Sequence, residues 1–263
     1  MAQTQIKLDD LQLSFRNHVG LVEIQRGPFN FFDIELIKNI GQAFKHFEQN
    51  ADCRALVLAA EGKAFCAGAN FTSEGGTTVL GEHGKINPLY AAGMELFACK
   101  LPIVAAVHGA AIGGGLGLAL VADFRVCCPE TRFSANFVKL GLHPGFGLTH
   151  TLPALIGQQN AALMFYTGRR IDGEQALQWG LADILCEQNQ VRNEAIKLAE
   201  EIAEGAPLAL RSIKETLRMG LQEKLQQQTM RENNEQAWQK NTDDFKEGIK
   251  AVSEKRNAKF TGK

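Results

Sequence analysis

The chain has 263 residues, 45 % of them hydrophobic and 22 % charged, and its 28 basic and 29 acidic side chains leave a net charge of −1. Such a composition is typical of a globular protein with a sizeable core. The balanced charge argues against a nucleic-acid groove, and no apolar run approaches the roughly 20 residues of a membrane span.

The N-terminus and the cysteines indicate a compartment and a redox state. No basic stretch followed by an apolar one marks the chain for secretion, so we expect a cytoplasmic protein. The six cysteines form no C-x-x-C pair and lack histidines at a metal-ligand spacing. We expect buried, reduced thiols and no metal site.

The first half of the sequence alternates strand and helix patterns. Apolar segments at 11–15 and 19–25 predict a hairpin of two strands. Asp33 precedes a run with helical apolar spacing, which predicts a capped helix at 34–47. Further buried strands are predicted at 54–60, 103–107 and 123–128.

Later segments lose this alternation. Residues 71–88 have no apolar period and many turn formers, which predicts a mobile surface loop. From residue 174 onward the chain is predicted to be largely helical. In the glutamine-rich part an apolar stripe favours an exposed amphipathic helix over disorder. Its members are Leu221, Leu225, Met230 and Trp238.

The segment 108–120 carries the strongest chemical signal. A strand runs through Gly113, Gly114 and Gly115 into an apolar helix. Glycines there let the backbone approach a ligand, and free N–H groups could hold an oxyanion. The alternative is a tight turn that only allows the helix to pack on the sheet. A dinucleotide site is set aside because no G-x-G-x-x-G is present.

A second segment, 61–70, offers exposed backbone among small residues directly after a predicted strand. Two N–H donors from separate turns would stabilise negative charge on a thioester oxygen, by roughly 3 kcal/mol per donor in catalysis. Two such segments indicate an oxyanion-binding site more specifically than one segment does.

Four motifs together resemble the crotonase superfamily, the enoyl-CoA hydratases and isomerases. They are Lys-Ala-Phe-Cys-Ala-Gly-Ala at 63–69, the glycine segment at 109–123, Leu-Gly-Leu-His-Pro-Gly at 140–145, and the charged stretch at 243–260. The resemblance implies an α/β fold, a spiral of repeated ββα turns, with a C-terminal helical region. We place the core at 1–200 and the helical region at 201–263.

The resemblance also implies a ligand and an assembly. The substrate would be an acyl-CoA thioester, with coenzyme A as part of the substrate and no separate cofactor. The protein would assemble as a homotrimer or a dimer of trimers. Ala67 and Gly114 would supply the oxyanion-hole N–H groups. Further substrate-binding candidates are Arg26, Lys63, Ala69, Phe137 and, from a neighbouring subunit, Lys259 or Lys263.

Two departures from the family pattern affect the expected chemistry. Family hydratases carry glutamates at the positions that match Gly117 and Phe137. Neither residue here can move a proton, and each general acid–base step ordinarily contributes about 10²- to 10⁴-fold. Hydration should therefore be slow, and Phe137 could instead widen an aromatic acyl pocket.

Several polar residues could replace the missing acid or base. His143 lies in the turn beside the predicted pocket, and histidine is a common general acid or base, although a histidine before proline can be structural. Loop charges could be presented by a closing lid or could simply be solvated. The remaining candidates are Glu74, Glu82, His83, Tyr90, Glu95 and Asp123, with Asn70 and Asn136 able to orient a substrate.

Two functions remain open at this point. The first is an enzyme that polarises an acyl-CoA carbonyl and stabilises an enolate-like intermediate, by isomerisation, decarboxylation, C–C cleavage or residual hydration. The second is an acyl-CoA-binding protein of the same fold without turnover.

Overall fold

The computed structural model describes residues 6–8, 10–71, 80–85 and 87–263. Within these ranges the strands are β1 (Ile6–Leu8), β2 (Leu11–Arg16), β3 (Val19–Ile24), β4 (Ala55–Ala60), β5 (Ala64–Cys66), β6 (Ile103–Val107), β7 (Ala110–Ile112), β8 (Phe124–Cys127), β9 (Arg132–Ser134), β10 (Arg170–Ile171) and β11 (Ile184–Leu185). The helices are α1 (Ile34–Gln49), α2 (Pro88–Leu96), α3 (Gly114–Ala119), α4 (Leu148–Thr167), α5 (Gly173–Trp179), α6 (Val191–Ala203), α7 (Pro207–Leu217), α8 (Leu221–Gln239) and α9 (Asp243–Ser253). Short 3-10 helices occupy Asn136–Leu140 and Gln188–Gln190.

Two sheets organise these strands. The larger has the order β1-β2-β3-β4-β6-β8-β11 and the smaller the order β10-β9-β7-β5. Three successive turns, β4–β5, β6–β7 and β8–β9, each add one strand to the larger sheet and the next to the smaller, and each is followed by a helix. The predicted α/β spiral of repeated ββα turns is confirmed.

Strand pairing follows from the lengths of the connections. The predicted hairpin is confirmed, since β2 and β3 pair antiparallel from Leu11↔Ile24 to Arg16↔Val19. From β3 to β11 the larger sheet is parallel, because longer crossovers join these strands. The central strands β4 and β6 are buried along their whole length, as expected for a parallel sheet covered on both faces.

Helix α1 shows how the apolar period becomes packing. Leu36, Ile40 and Phe44 recur at helical spacing and are buried in the core. The carboxylate of Asp33 accepts the N–H of Leu36 at 2.9 Å, so the predicted N-cap is confirmed. On the other face of the larger sheet, α6 contacts β4 and β6.

The C-terminal helices pack on the spiral, with α8 against α2 and α4 and with α9 against the 3-10 helix Asn136–Leu140. The boundary proposed at residue 200 stays a prediction. In α8, Glu232, Asn233 and Gln236 are at most 1 % exposed, whereas Trp238 is 55 % exposed. The predicted helix is therefore confirmed, but Trp238 lies outside its buried face, which is largely polar and is held by hydrogen bonds.

Half of the loop predicted at 71–88 lies outside the described residues. The end of the predicted loop caps a helix: α2 begins at Pro88, and the Asn87 side chain accepts the N–H of Leu89 at 2.9 Å. None of the described helices is long and apolar enough to cross a membrane.

Candidate active site

The two glycine-containing segments meet beyond the smaller sheet. Strands β5 and β7 are parallel neighbours, so the chain leaves both at the same edge. A Cβ on Gly68 would lie 2.6 Å from the Ile112 carbonyl oxygen, and one on Gly115 would lie 2.0 Å from that of Cys66. Only residues without a side chain permit this approach, which brings the two segments into direct contact.

The backbone N–H groups of this junction divide into engaged and available donors. The Ala67 N–H, predicted as an oxyanion donor, donates to the Phe29 carbonyl at 3.0 Å and is engaged within the protein. The N–H groups of Ala69 and Gly114 donate to no acceptor within the described part of the chain. Both residues line the same cavity. Ala69, which the sequence placed only among the substrate contacts, therefore has an available N–H at the cavity wall.

The cavity beside these amides has a volume of about 280 Å³. Its described lining is mostly apolar and aromatic, and Arg170 is the one charged side chain in it. The lining consists of Phe31, Phe32, Ala67–Phe71, Leu80, Leu89, Tyr90, Ile112–Gly114, Asn136, Phe137, Leu140, Gly145, Phe146, Arg170, Gln236, Ile249 and Val252. This described wall contains neither a carboxylate nor an imidazole.

A neutral hydrogen-bond network closes one side of the cavity. The hydroxyl of Tyr90 donates to the side-chain oxygen of Gln236, and the Gln236 amide donates to the His143 carbonyl at 2.7 Å. Burial, reinforced by the nearby Glu232 carboxylate, raises the pKa of Tyr90 well above its ordinary value. The phenol therefore stays protonated and can donate a hydrogen bond but cannot act as a base.

Two positions singled out by the resemblance lie at this wall. Phe137 is 7 % exposed and lines the cavity, as predicted for an aromatic acyl pocket. Gly117 lies behind the wall, where a Cβ would be only 2.7 Å from the ring of Phe146. An aromatic ring thus occupies the space that a side chain at residue 117 would need.

The structure does not bring His143 into this cavity. Its ring Nδ1 lies 2.7 Å from the Pro144 carbonyl oxygen, and the residue lines a separate cleft with Phe165, Tyr166 and Gln239. The prediction of a catalytic His143 is not supported by this position. Only the His143 carbonyl reaches the cavity wall, through Gln236.

The basic residues predicted to bind the substrate lie outside the described cavity wall. Arg26 is engaged in ion pairs with Asp10 at 2.6 Å and Asp33 at 2.7 Å, which leaves it little capacity for a phosphate. Lys63 is exposed. Lys259 is also exposed and its backbone N–H donates to Glu247 at 2.8 Å. A role for Lys259 or Lys263 at a neighbouring subunit stays a prediction.

The remaining acid–base candidates are also placed elsewhere. Glu82 pairs with Lys85, Glu95 pairs with Lys45, and His83 is exposed. Glu74 lies outside the described residues. Asn70 and Asn136 do line the cavity, and their role as orienting groups stays a prediction.

Asp123 is structural. Its carboxylate accepts hydrogen bonds from the Ile103 N–H at 2.8 Å, from Lys214 at 2.8 Å and from Arg218 at 2.7 Å. Lys214 is 5 % exposed. This cluster joins helix α7 to the end of the segment that begins with Gly114.

Sequence reasoning missed the buried carboxylate behind the cavity. Glu232 is fully buried and accepts the N–H groups of Gly147 at 2.7 Å and Thr149 at 2.9 Å, together with the Thr149 hydroxyl at 2.6 Å. Burial raises the pKa of Glu232 to about 7, although the hydrogen bonds from Thr149 and Gly147 act to lower it. The signal that could have found it is its spacing from Leu225, Thr229 and Gln236, which defines one face of α8.

Comparisons with known proteins agree with this geometry. Residues 14–263 match the family model described as enoyl-CoA hydratase/isomerase. The chain is 36 % identical over 206 residues to a probable enoyl-CoA hydratase of Mycobacterium tuberculosis, covering 78 % of each chain. It is 32 % identical over 209 residues to a carnitinyl-CoA dehydratase of Citrobacter koseri, covering 78 % of this chain and 80 % of the relative.

A solved structure extends the match to the fold. An enoyl-CoA hydratase/isomerase from Pseudoalteromonas atlantica superposes with a TM-score of 0.83 at 30 % identity, covering 96 % of this chain and all of that one. Sequence family, relatives and fold all indicate the same group. The chain therefore belongs to the enoyl-CoA hydratase/isomerase family of the crotonase superfamily.

Proposed function

We propose that this protein is an acyl-CoA-processing enzyme that holds a thioester carbonyl oxygen between the N–H groups of Ala69 and Gly114 and stabilises an enolate-like intermediate. The observation that carries the proposal is this pair of available amides at the wall of an apolar cavity. The family relatives named above as an enoyl-CoA hydratase and a carnitinyl-CoA dehydratase support a CoA thioester as the substrate.

The physical basis is the charge that develops on the carbonyl oxygen. When an electron pair reaches the α-carbon, the enolate places negative charge on that oxygen. Two backbone donors that need no reorganisation stabilise it, each by roughly 3 kcal/mol. The apolar wall strengthens these hydrogen bonds because it lowers the local dielectric constant.

The described wall favours reactions that need no protein base. Hydration requires a group that activates water, and the described lining offers neither carboxylate nor imidazole. Decarboxylation of a malonyl-type acyl-CoA is the reaction that this wall supports best. The bond from the α-carbon to the carboxylate breaks, CO₂ leaves, its bonding electrons form the enolate, and a proton from solvent completes the α-carbon.

The absence of a base from the described lining also supports a second candidate function, an acyl-CoA-binding protein without turnover. A cavity without a described base could bind thioesters through the same two amides and Phe137 and release them unchanged. Binding alone does not separate the two functions, whereas product formation does.

The test is turnover of the purified protein on enoyl-, malonyl-type and aromatic acyl-CoA thioesters, followed by mass detection. Gly114→Pro removes the N–H, and Gly114→Ala is its matched control because both add a Cβ that lies 2.1 Å from the Phe32 ring. Each is also made with Phe32→Ala to remove that clash. We expect the proline variants to be about 10²- to 10³-fold slower than the alanine variants.

The outcomes separate the alternatives. Loss of a malonyl-type decarboxylation in Gly114→Pro but not in Gly114→Ala supports the enzyme. Rapid hydration of crotonyl-CoA would contradict the proposed reaction. Tight binding of thioesters without any product would establish the binding protein instead. His143→Ala should turn over within a few-fold of the unmodified protein, since its ring lies in the other cleft.

A further inference from the structure

We propose that Phe146 determines which acyl groups the cavity accepts, by filling the space beside the α-carbon so that thioesters with an unbranched α-carbon bind and α-branched ones are excluded. This inference deepens the proposed function and rests on it. It assigns a specificity role to a residue that the sequence motifs do not single out.

Phe146 is held between two helices that both present glycine to it. A Cβ on Gly117 of α3 would lie 2.7 Å from the ring, and a Cβ on Gly93 of α2 would also lie 2.7 Å from it. The ring therefore fills the volume that side chains at both positions would otherwise occupy. It is 1 % exposed and lines the cavity.

The backbone of Phe146 is held in an unfavourable conformation. Its φ of +63° lies in the left-handed region, which residues with a side chain seldom adopt. Such a conformation persists only where the surroundings enforce it. Here the next residue, Gly147, donates its N–H to the buried Glu232 at 2.7 Å, which anchors the turn from behind.

Neighbouring rings hold the side chain on its other sides. Phe32 lies 5.6 Å away between ring centroids, and Tyr90 lies 6.5 Å away at an interplanar angle of 89°. Both of these residues line the cavity as well. Phe146 is thus a rigid part of the wall and has no room to move aside for a bulkier substrate.

The location of the Phe146 ring relative to Gly114 indicates which part of a bound acyl group lies next to the ring. A helix rises about 1.5 Å per residue, so Gly117 lies roughly 4.5 Å along the axis from Gly114. A ring against Gly117 is therefore within one helical turn of an oxygen bound at the Gly114 N–H. In a thioester bound there, the α-carbon follows directly after the carbonyl carbon, so the α-carbon and its substituents are the first part of the acyl group that can meet the ring.

The test compares two thioesters that differ by one methyl group. Calorimetry gives the dissociation constants of butyryl-CoA and 2-methylbutyryl-CoA for the unmodified protein and for Phe146→Ala, Phe146→Leu and Phe15→Ala. We expect the unmodified protein to prefer butyryl-CoA by about tenfold or more, the discrimination that one carbon gives in a fitted apolar pocket. Phe146→Ala should bring this ratio close to one.

The other variants keep the test decisive. Phe146→Leu retains an apolar side chain and should give an intermediate ratio, so it serves if Phe146→Ala does not fold. Phe15→Ala is the matched control: its ring stacks on that of Phe47 at 6.4 Å between centroids and lies outside the described lining of the cavity, so its removal should leave the ratio unchanged.

Different results would contradict the specificity role of Phe146 and the proposed function. Equal binding of both thioesters by the unmodified protein, or an unchanged preference in folded Phe146 variants, would overturn the role of Phe146 alone. Failure of the unmodified protein to bind either thioester would overturn the proposed function, and the specificity role with it.

Discussion

The two ends of the segment from Gly114 to Asp123 differ in how their polar groups are satisfied. At the first end, Gly114 lines the cavity and its N–H donates to no described acceptor. At the other end, the Asp123 carboxylate accepts three hydrogen bonds, two of them from cations. Buried polar groups are normally paired, so the saturated end is scaffold and the end with an available donor is the place to bind a ligand.

The largest expected loss of stability follows from removing the carboxylate at the saturated end. Asp123→Ala would leave the buried Lys214 without its carboxylate, and breaking one partner of such a pair costs about 3–5 kcal/mol. Urea denaturation should show this loss. Asp243→Ala, which breaks an exposed pair with Lys246, should change stability by less than about 1 kcal/mol. Similar losses in both variants would contradict the distinction.

Glu232 sharpens the comparison, because it is fully hydrogen-bonded but has no cation beside it in the described structure. Burial raises its pKa from 4.5 to about 7. A raised pKa means that folding favours the protonated form, so its stabilising contribution is complete below about pH 4.5 and is lost as the pH rises through 7. The slope should reach at most about 1.4 kcal/mol per pH unit.

Denaturation of the unmodified protein and of Glu232→Gln between pH 4.5 and 8 measures this contribution. The difference in unfolding free energy should shift against the unmodified protein as the pH rises. The Thr149 hydroxyl donates to Glu232, and this hydrogen bond lowers the pKa of Glu232. Thr149→Val removes the hydroxyl, so the pKa should rise and the transition should move to higher pH. A difference that is independent of pH would refute the assignment.

A smaller effect tests the packing beside the available donor. Gly117→Ala introduces a methyl group 2.7 Å from the Phe146 ring, and such overpacking typically costs about 1–3 kcal/mol. Thermal unfolding should show this cost, and Phe146→Ala in the same chain should reduce it. Gly41→Ala on α1 is the control, because its Cβ would lie 3.4 Å from Leu96 and alanine favours the helix.

The smallest effect concerns the neutral network on the cavity wall. Tyr90→Phe removes the hydroxyl that donates to Gln236, and a hydrogen bond of this kind contributes about 1 kcal/mol. A double-mutant cycle of Tyr90→Phe with Gln236→Leu measures the coupling between the two side chains. No coupling would show that the network does not stabilise the wall.

Local sequence patterns predicted most of the spiral. The Asp33 cap and the apolar period of α1 are local signals, and the structure confirms both. The buried strands were also found within about one residue of their ends, because continuous apolar segments are typical of parallel sheets. The glycine segment was recognised as a place where the backbone must approach something closely.

The patterns misplaced residues whose role depends on distant partners. Ala67 and Ala69 are the same residue type in one short motif, and only the Phe29 carbonyl, which accepts the Ala67 N–H, makes one donor engaged and the other available. Trp238 looked like part of a buried stripe, yet Glu232 and Gln236 are buried instead. Their partners, Thr149 and His143, are more than 80 residues away in sequence.

By itself, then, the sequence determined the alternation of strands and helices, the capped α1 and the close approach at Gly114, since each depends on neighbours within a turn or a strand. Tertiary structure alone decided which N–H groups stay available, which carboxylate is buried, and that Phe146 fills the space beside Gly117. Hydrogen bonds and excluded volume join residues from different turns of the spiral, and no local pattern records which residues will meet.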